Sequence, residues 1–157
     1  MTGDYKGIHH VGITVSNLDR SVAFFRDIMG LNLLVPQTER FEGEELEKGL
    51  GVPDAAVRIA IFEVDQNHRM ECLEYFSPRS PVQSPLPPNA LGAMHVSFHC
   101  ADIEAKYNEL KSKGVEFLTP INVIDEGPLI GWKWVYFKDP DGNMLELVQD
   151  QNPVTNP

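Results

Sequence analysis

Basic residues are scarce in this chain. Lys and Arg number 13 against 23 Asp and Glu, a formal net charge of −10. No basic stripe exists to displace counterions from a phosphate backbone, which argues against a nucleic-acid partner. Cysteine is scarce too. The only two, Cys72 and Cys100, have no CxxC spacing and read as buried thiols in a reducing cytosol. Long apolar runs are missing. Nothing approaches the roughly eighteen residues that span a bilayer, and the opening Met-Thr-Gly-Asp-Tyr-Lys has no apolar signal core, so no membrane association and a cytoplasmic location are expected. What is present is a 42% hydrophobic composition over 157 residues, enough for a globular core in a single domain.

Two short stretches organise the rest. Ile8-His9-His10-Val11-Gly12-Ile13-Thr14-Val15 and Met94-His95-Val96-Ser97-Phe98-His99-Cys100 both alternate and are rich in β-branched and aromatic residues, so both read as strands. Alternation places His10 with Gly12 and Thr14 on one face, and His95 with Ser97 and His99. Each strand runs into a helix start. Leu18, Val22, Phe25 and Ile28 form one apolar helical face ended by Gly30, and Ile103, Tyr107 and Leu110 form another ended by Gly114. The apolar positions fall at matching distances after His10 and His95, which marks an internal repeat of βαβββ units. The first module spans residues 7–76, with strands at 31–35, 57–64 and 69–76. The second spans 92–150, with strands at 115–118, 132–137 and 144–149. A proline-rich linker, 77–91, separates them. Residues 37–54 carry six acidic against two basic residues and read as a solvated loop or a mobile cover, with a short helix possible over 44–50.

Each module closes on a strand that carries a carboxylate among apolar neighbours: Glu71 in Met70-Glu71-Cys72-Leu73 and Glu146 in Leu145-Glu146-Leu147-Val148. A charge in such a strand is costly unless it is paired or bound to a cation. Two His strands and two Glu strands in duplicate thus supply His10, Glu71, His95 and Glu146 as ligands. That set suits one divalent metal per chain, Zn, Ni, Co, Mn or Fe, with open positions for water or substrate. Glu74 competes with Glu71 for the first-module role. His9, His68 and His99 read as structural or surface residues. Trp132, Trp134 and Tyr136 alternate on one face, either as core or as a substrate wall.

These stretches, with Asn17-Leu18-Asp19-Arg20-Ser21, Phe24-Phe25-Arg26-Asp27, Met29-Gly30-Leu31 and Asp139-Pro140-Asp141-Gly142-Asn143-Met144-Leu145-Glu146-Leu147, resemble the vicinal oxygen chelate superfamily, which unites glyoxalases, bleomycin-resistance proteins and dioxygenases. The resemblance covers nearly the whole chain. It implies an α+β fold of two βαβββ modules curled into an open, barrel-like mixed sheet around one metal at His10, Glu71, His95 and Glu146. Glyoxalase I enzymes carry Glu at the position of Glu71, methylmalonyl-CoA epimerases typically Gln, and extradiol dioxygenases no ligand there. The expectation is an isomerase, lyase or epimerase acting on a small carbonyl or acyl compound. Glu71 and Glu146 would be the catalytic pair, moving the α-proton while the metal stabilises the enediolate. The alternatives are an Fe(II)-dependent extradiol-type dioxygenase and a metal-free small-molecule binding or resistance protein. Bacterial glyoxalase I has an Arg four residues after the first His ligand and an Asn four residues after the first Glu ligand, both for glutathione. Here those positions are Thr14 and Tyr75, which points away from a glutathione hemithioacetal. The resemblance also implies a homodimer.

Overall fold

The computed structural model describes residues 6–82 and 84–150, which fall into two compact units, 1–83 and 84–157. The first holds β1 (His10–Thr14), α1 (Leu18–Ala23) continuing as a π-helical turn (Phe24–Ile28), β2 (Asn32–Val35), β3 (Phe41–Glu42), α2 (Glu44–Leu50), β4 (Ala56–Glu63) and β5 (Arg69–Ser77). The second holds β6 (His95–His99), α3 (Ile103–Ser112), β7 (Asn122–Val123), β8 (Lys133–Lys138) and β9 (Met144–Gln149). Among the described residues no helix is long and apolar enough to cross a membrane.

The sheets repeat one topology. In the first unit the order is β1-β5-β4-β2, with β3 also on β4; in the second it is β6-β9-β8-β7. In both, the His strand runs parallel to the last strand of its module, β1 on β5 and β6 on β9, while the hairpins β4–β5 and β8–β9 are antiparallel. The architecture is therefore the expected α+β one, with open mixed sheets.

One face of each sheet buries the core against its helix. Leu18, Val22 and Phe25 of the first helix are at most 1% exposed, and they pack in a core with Ala60, Phe62, Met70 and Cys72. The π-turn widens the helix by one residue, so that consecutive Phe24 and Phe25 are both buried, edge to face at 5.1 Å. In the second unit Ile103 and Leu110 join Val135, Phe137, Leu145 and Leu147, all at most 1% exposed. The helix starts are capped alike. Asn17 Oδ1 accepts from the Arg20 N–H at 2.8 Å, and Asp102 Oδ1 from the Ala105 N–H at 2.9 Å, satisfying donors that have no partner within the helix.

One expectation is sharpened and another needs correction. Within residues 37–54 the short helix allowed over 44–50 is present, and a two-residue strand precedes it. Phe41–Glu42 pairs with β4, and Glu44–Leu50 is a helix with no buried residue. Its acidic first turn faces the positive helix end, a Lys48–Glu44 pair spans one turn at 2.6 Å, and Gly51 ends it at φ +66°. Second, residues 115–118 do not form a strand. Only Phe117 bridges to Phe137, its ring also lying 4.3 Å from that of Tyr107, and the strand that pairs with β8 is Asn122–Val123. Pro120 has no N–H to give, so regular pairing resumes only beyond it.

Candidate metal and proton-transfer residues

The face of each sheet away from its helix carries the candidate residues. β1 and β6 have the same succession of exposed, half-buried, exposed, buried and exposed residues. In both, the histidine at the start of the strand lies on the open face. Register then sets its neighbour. Glu71 stands across from Gly12, and Glu146 across from Ser97. Each carboxylate is thus one diagonal step from its histidine, over a residue small enough to let the two meet. A Cβ on Gly12 would lie 3.7 Å from Glu71 Oε2, an ordinary van der Waals contact, and the second unit has Ser97 at the matching place in the register.

His10 Nε2 lies 3.6 Å from Glu71 Oε2, and His95 Nε2 lies 3.4 Å from Glu146 Oε2. The imidazoles are 44% and 46% exposed and the carboxylates 19% and 13%, so the same pair is presented to solvent twice. A strong N–H···O bond is shorter, about 2.9 Å. Two donors on one Zn²⁺-like ion, each about 2.1 Å from it at tetrahedral angles, stand roughly 3.4 Å apart. The spacing and the N/O donor set therefore fit a divalent metal. The structure brings the four expected ligands together two by two, one pair in each unit. Among the described residues, no group of three or more His, Cys, Asp or Glu side chains is placed to hold an ion.

Glu74 is not a rival ligand. It differs from Glu71 by an odd number of positions, faces the core at 7% exposure, and accepts the Leu18 N–H at 3.1 Å. It closes the start of α1, where a carboxylate is favoured by the helix dipole. The second unit uses Gln149 Oε1 on the Ile103 N–H in the same way at 2.9 Å. His68 lies in the β4–β5 turn against Asp65 at 2.9 Å, and His99 pairs with Asp150 at 3.0 Å.

The surroundings of the two pairs differ. Behind His10, His9 Nδ1 lies 2.8 Å from His10 Nδ1, and Arg69 Nη1 donates to His9 Nε2 at 3.1 Å. Beside His95, the Tyr136 ring lies edge-on at 5.2 Å, with Trp134 a further 5.3 Å along. Tyr136 stands across from Glu146 in the β8–β9 register. Burial, then the Glu146 charge, holds its phenol above the ordinary value. Trp132, Trp134 and Tyr136 are half-buried while Val135 and Phe137 fill the core. They thus lie outside the core.

Comparison with known proteins shows the family of the chain. The family profile described as Glyoxalase/Bleomycin resistance protein/Dioxygenase superfamily matches residues 7–147. The chain is 35% identical over 144 residues to a 2-epi-5-epi-valiolone epimerase of Actinomyces, covering 90% of this chain and 78% of that protein. It is 29% identical to a probable lactoylglutathione lyase of Vibrio cholerae, covering 92% and 91%. A crystal structure of a glyoxalase family protein from Bacillus cereus superposes with a TM-score of 0.77 at 25% identity, covering 96% of this chain and 98% of that one. The chain belongs to the Glyoxalase/Bleomycin resistance protein/Dioxygenase superfamily.

Proposed function

We propose that the protein is a divalent-metal-dependent epimerase. It moves the proton on the carbon beside the carbonyl of a small compound. His10, Glu71, His95 and Glu146 hold one metal per chain. When bound, the metal supplies a Lewis acid that stabilises negative charge on the carbonyl oxygen. The carboxylates do the rest. The C–H bond breaks with its proton passing to a Glu146 oxygen and its electron pair moving toward the carbonyl oxygen. Glu71, entering as the carboxylic acid, gives its own proton to the opposite face and so inverts that carbon; Glu146 keeps the proton it took, and exchange of both carboxyls with water restores the starting state. Trp134 and Tyr136 shelter the Glu146 side from water.

The observation that carries this reading is the duplicated His–Glu pair, spaced 3.6 and 3.4 Å in the two units. Similarity to an epimerase at 35% identity favours inversion over the wider isomerase and lyase chemistries. Thr14 and Tyr75, at the positions where glutathione contacts would be expected, favour a free carbonyl compound over a glutathione adduct. The test is incubation of the metal-loaded protein in D₂O with a panel of α-hydroxy ketones and acyl thioesters, followed by mass spectrometry. Deuterium entering at the α-carbon is the expected result. No exchange with any compound, together with O₂ consumption on catechols with Fe²⁺, would replace the epimerase by an extradiol-type dioxygenase.

The proposal includes a homodimer, because β1 and β6 each lie at an edge of their own sheet and exposed edges need covering. Light scattering should give about twice the 17.6 kDa of one chain; a mass equal to one chain would refute it.

A further inference from the structure

We propose that His9 and Arg69 are positioning residues that decide which ring nitrogen of His10 is free to take a metal. The inference rests on the reading of His10 as a metal ligand. A guanidinium only donates, so in the contact at 3.1 Å His9 Nε2 must accept. A neutral His9 then carries its proton on Nδ1, and in the 2.8 Å contact it donates that proton to His10 Nδ1. With Nδ1 accepting, His10 holds its own proton on Nε2, the atom that faces Glu71 at 3.6 Å. A protonated Nε2 has no lone pair to offer.

For His10 to ligate through Nε2, the bridge must run the other way. His10 Nδ1–H then donates to His9 Nδ1, and His9 carries its proton on Nε2, where it meets the N–H of Arg69. The guanidinium must leave. Each imidazole still holds one proton, so none is gained or lost. His9 is thereby the acceptor that orients a ligating His10, the usual outer partner of a metal-bound imidazole, and Arg69 is what holds it in the opposing state. The second unit has no such device. Met94 stands before His95, and Met144 stands across from it where Arg69 stands across from His10.

The test is the dissociation constant for Zn²⁺, measured by competition with a chromophoric chelator, for the wild type, Arg69→Met, His9→Ala and the double variant. Arg69→Met should tighten binding about tenfold, the scale of outer-partner effects. Loss of a nearby positive charge would also tighten binding, so the cycle is decisive. The gain should shrink to about twofold or less in the His9→Ala background. An unchanged or weaker affinity in Arg69→Met, or an equal gain with and without His9, overturns the inference while leaving the metal reading intact. A wild-type protein that takes no metal overturns both.

Discussion

In the first unit the histidine of the His–Glu pair is backed by polar groups, His9 and then Arg69. In the second unit the matching positions are Met94 and Met144, and an aromatic ring, Tyr136, lies edge-on to the histidine instead. On the hairpin strand beside the glutamate, the first unit has Ile61 across from Glu71 where the second has Tyr136 across from Glu146. Duplication has kept the chemistry of the pair and divided its surroundings. One side is polar; the other is aromatic. A base works best where water is excluded, because its interactions there are less screened. Under the proposed function, this comparison puts proton abstraction on Glu146 and the more responsive ligand at His10.

The largest expected effect is on rate. Glu146→Gln keeps a carbonyl oxygen for the metal but cannot accept a proton, so turnover should fall by about 10² to 10⁴ while metal content holds. Glu71→Gln should cost less. Equal losses, measured in the deuterium-exchange assay, would erase the functional difference between the halves. Next comes stability. Glu74→Ala leaves the buried Leu18 N–H without its partner and should cost about 1 to 3 kcal/mol in thermal or denaturant unfolding. Glu74→Gln should cost less than about 1 kcal/mol, because Gln149 does the same task in the second unit. Asn17→Ala and Asp102→Ala should each cost about 1 kcal/mol, and similarly, since both are helix caps of one geometry.

The smallest effect separates the two hairpin turns. Asp65 is held below the ordinary carboxylate range, first by the Asn67 N–H and then by His68. Asp139 is pushed above it by burial, against the pull of Asn143 and Asp141. A folded value below the unfolded one means that the Asp65 contribution is full above the unfolded value and is lost as pH falls through the folded one. Asp139, with its folded value raised, contributes in the opposite direction: its share is present below the unfolded value and is lost as pH rises through the folded one. Asp65→Asn should therefore lower the melting temperature at neutral pH and cease to do so in acid; a pH-independent penalty would mean that the charge plays no part.

Much of this was legible in the sequence because alternation and helical period leave clear marks. The repeated spacing from His10 to Phe25 and from His95 to Leu110 located both helices, the parity of each strand placed His10 and His95 on the less apolar faces, and its apolar neighbours marked Glu146. Parity also distinguishes Glu74 from Glu71, since neighbours an odd number apart in a strand face opposite ways. The two-residue strands at 41–42 and 122–123 were not legible. So short a segment has no period, and its pairing is set by the partner strand. The role of His9 was hidden for a related reason. β1 begins at His10, so alternation does not govern His9, and its ring turns back to its neighbour. The doublet His9-His10 against the single His95 was the available sign.

The central claim is that two duplicated pairs hold one metal. Metal content per chain of the wild type, His10→Ala and His95→Ala, each loaded with Zn²⁺ and freed of excess, tests it most directly. The account predicts about one ion per wild-type chain and loss of most of it on removing either histidine, since a site of four ligands cut to three binds far more weakly. Two ions per chain, or full occupancy after loss of one histidine, would show that the pairs act separately and would contradict it.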